Sequence, residues 1–328
     1  MKALYIEEVV VVQKFFNDWW AETQRVCWSL FKVMLPVVIA VKLLDQWGFN
    51  ELLADFLAPL MQAVGLPDSM SLVWAATMLS NIYAGMLVYV QLGEPLSQSQ
   101  ISILGAMMLI AHGLPMEVAI ARQAGVSVVF SLVLRIVGAI VFAWLIKLAY
   151  EFWPQDQAAE LLWQPDFEQA TTWWGWAQEQ LLSFVVIFLI VALLLAVLRL
   201  LRVLGVEALI AWCLAPVLKL LGIAKSAMTI TITGITLGMA FGGGILIDEA
   251  RQGRVEPKDV FSAIMMLSLL HSLIEDTLLI LLLGADFNAI FWGRLLFSLL
   301  LVALLTRLLN HPKLSRLCYR DMREKPAG

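Results

Sequence analysis

Between Val260 and Leu283 the chain is apolar for long enough to cross a hydrocarbon core, which takes about 20 helical residues. The middle of that run nevertheless reads His271-Ser272-Leu273-Ile274-Glu275-Asp276. Ionisable groups at such depth are costly unless they pair or line a cavity, so a functional site is the default reading. An earlier apolar run, Ile101 to Gln123, is interrupted in the same manner at His112-Gly113-Leu114-Pro115-Met116-Glu117. The interruptions stand 159 positions apart, with His112 matching His271 and Glu117 matching Asp276.

The match extends in both directions. A shift of 157 superposes Gly48 on Gly205, Leu57-Ala58-Pro59 on Leu214-Ala215-Pro216, Gly65 on Gly222, Ser69 on Ser226 and Gly85 on Gly242. A shift of 159 then superposes Met107 on Met266, Gly125 on Gly284 and Arg135 on Arg294. Apolar residues align by chance, whereas Gly, Pro, His and Arg matched in one order signal an internal duplication.

With 61% hydrophobic and 15% charged residues over 328 positions, the expected fold class is an all-α polytopic membrane protein. No basic stripe with interleaved aromatics suggests a nucleic-acid partner. Cys27, Cys213 and Cys318 form neither a disulfide framework nor a zinc cluster. Five segments are expected: an amphipathic surface helix over 1–27, a first repeat over 28–150, and an acidic Trp-rich connector over 151–180. A second repeat over 181–310 and a basic tail over 311–328 follow. About six transmembrane helices are expected, together with an interfacial helix over Asn50–Val64.

Charge placement sets the topology. Lys313, Arg316, Arg320, Arg323 and Lys325 put the tail in the cytoplasm, and Arg251, Arg254 and Lys258 put the preceding loop there too. The connector carries no Lys or Arg and belongs outside, as does the uncharged-to-acidic loop Gly93–Gln100. Both termini are then cytoplasmic, in a bacterial inner membrane. The assignment closes only if Ser69–Leu92 and Ser226–Ala250 enter and leave on one side, as re-entrant hairpins. Each repeat then crosses three times, and the two halves are inverted relative to each other.

The hairpin tips are expected at Ser80–Gly85, with Asn81 and Tyr83 facing a polar solute, and at Gly242-Gly243-Gly244, with Asp248 one turn beyond. Arg135 and Arg294 lie one helix past each break at the depth of Glu117 and Asp276, so a buried structural ion pair is expected in each copy. That leaves Glu275 as the freer carboxylate. His112 and His271 suit three roles: bonding carbonyls freed at a helix break, contacting a solute or proton, and ligating a divalent metal with Glu117, Glu275 and Asp276. The expected site is a substrate site without a resident metal or cofactor, since His-Ser-Leu-Ile-Glu-Asp is not a zinc-protease motif. No nucleophile signature accompanies it, so an enzyme is not expected.

The segment Gly238 to Glu249, followed by Glu256-Pro257-Lys258-Asp259-Val260-Phe261 and His271 to Asp276, resembles the Gate or nucleoside-recognition domain family. That family is related to concentrative nucleoside transporters, the membrane part of B-type ferrous-iron transporters and spore maturation proteins. The resemblance implies a re-entrant hairpin, a short loop and a broken helix. Where nucleoside carriers read Gln-Thr-Glu-Ala-Pro, this chain has Gly242-Gly243-Gly244-Ile245-Leu246, and it has no P-loop. The expectation is a secondary transporter of a small polar solute, with a coupling ion and membrane lipid as partners. The alternatives are a non-transporting assembly component, as a homo-oligomer or with a second membrane subunit, and a divalent metal permease.

Overall fold

The computed structural model describes residues 2–47, 49–160, 172–308 and 318–319. Gly48, the connector residues Trp163, Asp166 and Glu168, and the basic tail residues Lys313, Arg316, Arg320, Arg323 and Lys325 lie outside the described residues. The first repeat consists of α1 (Lys2–Gln46), α2 (Phe49–Val64), α3 (Met70–Leu79), α4 (Ile82–Leu92), α5 (Gln98–Ile110), α6 (Leu114–Gln123) and α7 (Val128–Phe152). The second consists of α8 (Trp173–Val203), α9 (Val206–Leu220), α10 (Lys225–Leu237), α11 (Met239–Arg251), α12 (Pro257–Leu270) and α13 (Leu273–Leu281). A π-helical turn over Asn288–Gly293 continues directly into α14 (Arg294–Leu308). The chain is an all-α polytopic membrane protein, and among the described residues 6 helices are long and apolar enough to span a membrane.

Two of those spans are broken helices, α5 with α6 and α12 with α13, and they form the centre. Each is 78% buried, against 11% for the α1 span and 22% for the α14 span. The outer helices turn apolar ladders outward, such as Leu181, Val185, Leu189 and Leu193 on α8 and Leu296, Leu300 and Leu304 on α14. Such surfaces suit hydrocarbon, where apolar exposure carries no penalty.

Contacts between chain ends sort the molecule into two faces. On one, Ser97 bridges to Ala158, and Ser102 Oγ accepts from Asp286 N–H at 2.8 Å. On the other, Val126 bridges to Tyr319, whose ring stacks on Phe261 at 4.8 Å. The first hairpin begins and ends on the first face, because the Ser69 hydroxyl bonds the Glu94 carboxylate. The second begins and ends on the opposite face, since Ala224 N–H donates to Asp259 Oδ1 at 3.2 Å. Both are therefore re-entrant, from opposite sides.

Two expectations are corrected. The surface helix expected over 1–27 is not a separate element: α1 runs unbroken over Lys2–Gln46, and its membrane-capable part covers Phe16–Leu43. The charge that suggested a surface position is neutralised sideways, Glu22 pairing with Arg199 of α8 at 2.6 Å while Trp19 Nε1–H donates to Ala192 O at 2.8 Å. The second hairpin turns at Gly238, not at Gly242–Gly244. Gly238 has φ of 98°, a conformation open to glycine. Gly242 and Gly243 lie inside α11, where hydrogen replaces a side chain for packing. A Cβ on Gly242 would collide with the Gly234 backbone of α10, and one on Gly243 would stand 2.6 Å from Ile120 of α6.

A Cβ at Gly244 meets nothing within 4 Å. Gly242→Ala is expected to lower the thermal midpoint by the equivalent of about 1–3 kcal/mol through overpacking. Gly244→Ala should leave it unchanged or raise it slightly, and equal losses at both positions would contradict this packing. In a Cys-free background, Asp156→Cys on one face and Glu256→Cys on the other should react with impermeant thiol reagent from opposite sides of the membrane. Labelling of both from one side would overturn the two-face arrangement.

Candidate functional site

The breaks in the two central helices meet inside the protein. Each begins where an α-helix loses its regular bonding: Gly113 follows His112 with φ of 54°, and Ser272 follows His271 with φ of 47°. Ser272 stands at the repeat position of Gly113 and is the non-glycine residue with positive φ among those described. A β-substituted residue in that conformation is strained by roughly 1 kcal/mol. Each hairpin tip packs on the break of its own repeat: Gly113 N–H donates to Thr77 O at 3.0 Å, and a Cβ on Gly238 would stand 3.1 Å from Ser272 Oγ.

The arginines complete each break. Arg135 Nε–H donates to Ile110 O at 2.8 Å, and Arg294 Nε–H to Leu269 O at 3.0 Å, the same carbonyl in the repeat. Arg135 also pairs directly with Glu117 Oε2. Arg294 donates to His271 O at 3.0 Å and stands 3.7 Å from Asp276 Oδ2, a looser pair made by the shorter acid. Both guanidiniums are fully buried. The expected ion pairs are present, tight in the first copy and loose in the second.

Both imidazoles use Nδ1 locally, His112 towards Met108 O at 3.0 Å and His271 towards Leu267 O at 2.6 Å. A carbonyl oxygen only accepts, so each Nδ1 carries the hydrogen, and each neutral ring presents a bare Nε2 lone pair. Those two Nε2 atoms lie 2.9 Å apart. Glu117 Oε1 is 3.2 Å from each of them. Asp276 Oδ2 is 3.8 Å from His112 Nε2 and has no hydrogen-bond partner. Three acceptors thus converge at contact distance with a fourth beside them, all from residues at most 7% exposed.

The other candidate residues divide clearly. Glu275 is half-buried at the edge of the centre, facing the Tyr83 hydroxyl of the first hairpin without a hydrogen bond of normal geometry. Asn81 caps α4, its Oδ1 accepting from Ala84 N–H at 2.9 Å. Asp248 is exposed near the far end of α11, bonded to Gln252 at 2.6 Å and apart from the centre. Gly242, Gly243 and Gly244 are helix positions and not a tip. Ser272 and the carbonyls of Ile110 and Leu269 were missed by sequence reasoning. The 159-residue shift, which sets Ser272 against Gly113, was the available signal for the first.

Among the described residues, two cavities lie away from the cluster. One of about 380 Å³ sits between α1 and α8, lined by Cys27, Trp28, Met34, Phe184 and Ile187. Another of about 540 Å³ opens beside α6 at Pro115, Val118, Arg122 and Val128. Neither is lined by His112, His271, Glu117 or Asp276. Their linings are mainly apolar, whereas His112, Glu117 and His271 bring ionisable groups together in the buried cluster.

Removing one member of a buried ion pair strands the other, at a cost of about 3–5 kcal/mol. Arg135→Gln should therefore lower the thermal midpoint sharply, and Arg135→Gln with Glu117→Gln should recover part of the loss. A double variant as unstable as the sum of the singles would show that the two side chains do not depend on each other.

No family model matches the chain, and no solved structure matches it. It is 28% identical over 309 residues to a protein of Bacillus subtilis (strain 168) described as the uncharacterized membrane protein YvoD. The aligned region covers 92% of this chain and 95% of that protein, so the similarity spans both repeats and accords with a multi-pass membrane protein.

Proposed function

We propose that this protein is a secondary transporter of a small polar solute, working by alternating access around the cluster where its two repeats meet. The observation that carries the reading is the 2.9 Å approach of His112 and His271, one from the break in each repeat's central helix. Oppositely inserted hairpins and broken helices meeting near mid-span are the construction expected of inverted-repeat carriers. The Gate-like resemblance of Gly238–Glu249 and His271–Asp276 agrees with this function. The positive charges of the tail and of the Arg251–Lys258 loop support a reading in which both termini face the cytoplasm across a bacterial inner membrane.

In this mechanism the cluster stays at the midplane while the barriers on either side of it open in turn. One barrier is the packing of α6 on α11, through Ile120 and Gly243. Arg135 and Arg294 hold the broken backbone while Glu117, Asp276 and the imidazoles meet the cargo, and Glu275 with Tyr83 lines the approach. A disulfide between Ile120→Cys and Gly243→Cys, in a chain lacking its native cysteines, should abolish uptake into proteoliposomes, and reductant should restore it. Unchanged uptake with the cross-link fully formed would rule out movement of α6 against α11. Absence of flux across a broad panel of ions and small solutes would favour a membrane assembly role.

A further inference from the structure

Three lone-pair acceptors in mutual contact need a positive centre among them, either a proton shared along one edge or a metal ion facing all three. From the Nδ1 bonds, His112 Nε2 and His271 Nε2 are both unprotonated in the neutral rings, and Glu117 Oε1 faces both. We propose that these three atoms form one face of the coordination sphere of a divalent first-row transition cation, with Asp276 Oδ2 as the fourth donor. The proposal rests on the transporter reading for its role, since the ion would be the cargo or the coupling ion, but its binding can be tested without transport.

Four observations support it. Donors at ~2.1 Å from a metal and at ~90° to each other stand ~3.0 Å apart, as on one face of an octahedron. The edges here are 2.9, 3.2 and 3.2 Å. Each imidazole donates its other N–H to a backbone carbonyl, the support that fixes the ring of a metal-ligating histidine. Asp276 Oδ2 is buried, without a hydrogen-bond partner, and 3.8 Å from His112 Nε2. The ligand atoms of His112, Glu117 and His271 stand too close together for an organic solute to lie among them, whereas one ion can touch all three.

The ligand chemistry narrows the ion. Two imidazoles with carboxylates suit Mn²⁺, Fe²⁺, Co²⁺ or Zn²⁺, whereas Mg²⁺ and Ca²⁺ require all-oxygen shells. Arg135 and Arg294 behind the two carboxylates repel a dication and weaken its hold. A site that must release what it binds requires such weakening. Glu275, on the same helix as Asp276, places a further carboxyl group at the edge of the cluster.

The test uses the full chain purified in detergent and freed of metal by chelator. Equilibrium dialysis should show one Co²⁺ or Mn²⁺ per chain, with no competition from Mg²⁺ or Ca²⁺ at tenfold excess. His112→Gln and His271→Gln should each weaken binding at least tenfold. His311→Gln and Cys213→Ser, which remove other soft donors, should leave it unchanged. Should the histidine variants fail to fold, pulsed electron paramagnetic resonance on the wild-type Mn²⁺ complex should still show two imidazole nitrogens on the metal. No binding, binding that survives loss of both histidines, or no imidazole coupling would overturn the site. Metal binding without flux in vesicles would sink the transporter reading and leave the site standing. Flux of an organic solute with no metal bound would do the reverse.

Discussion

A helix broken in the middle of a membrane protein leaves backbone carbonyls with nothing to accept from, and no water is at hand to replace the lost donor. The rest of this structure depends on how that deficit is met. Arg135 and Arg294 reach from the next helix and give Nε–H to Ile110 O and Leu269 O. A buried guanidinium cannot be left unpaired, so Glu117 and Asp276 follow from it. Those acids in turn face the imidazoles at the ends of the broken helices. The π-helical turn at Asn288–Gly293 lies immediately before Arg294, where one extra residue per turn alters the direction in which the arginine projects.

Inverted repetition explains why like meets like. Residues far from the pseudo-twofold axis pair within their own copy, as Arg135 does with Glu117. Residues near the axis meet their own counterparts, as His112 meets His271. Two imidazoles that both commit Nδ1–H to a carbonyl cannot be complementary through Nε2, because an acceptor then faces an acceptor. The pair of bare Nε2 atoms is an instance of this geometric frustration, and a cation between them resolves it.

Much of this was legible in the sequence because polar residues in apolar runs are rare and so carry information. Matched Gly65 and Gly222, Gly125 and Gly284, and the two arginines located turns and ion pairs, and charge asymmetry required the hairpins to be re-entrant. The hairpin tip was misplaced because a Gly-Gly-Gly run suggests a turn more strongly than a lone glycine does. Close helix packing also demands glycine, and the two demands leave the same residue behind. The repeat held the answer, since the 157 shift sets Gly238 against Asn81. The N-terminal boundary failed for a different reason: Glu22 reads as a surface residue until Arg199, 177 positions away, is known to face it. Likewise, periodicity made the histidines equivalent without placing them on the axis.

The departures from symmetry carry their own meaning. Glu275 has as its counterpart Met116, which is 61% exposed and bears no charge. The second copy therefore adds a carboxylate that the first lacks. Two fully buried guanidiniums stand against Glu117 and Asp276 inside the cluster, and Glu275 adds a third carboxyl group at its edge. The symmetric part of the centre supplies converging lone pairs, and the asymmetric part adds one more carboxyl oxygen donor at the edge. Both favour a positively charged occupant, and they do so from independent features of the chain.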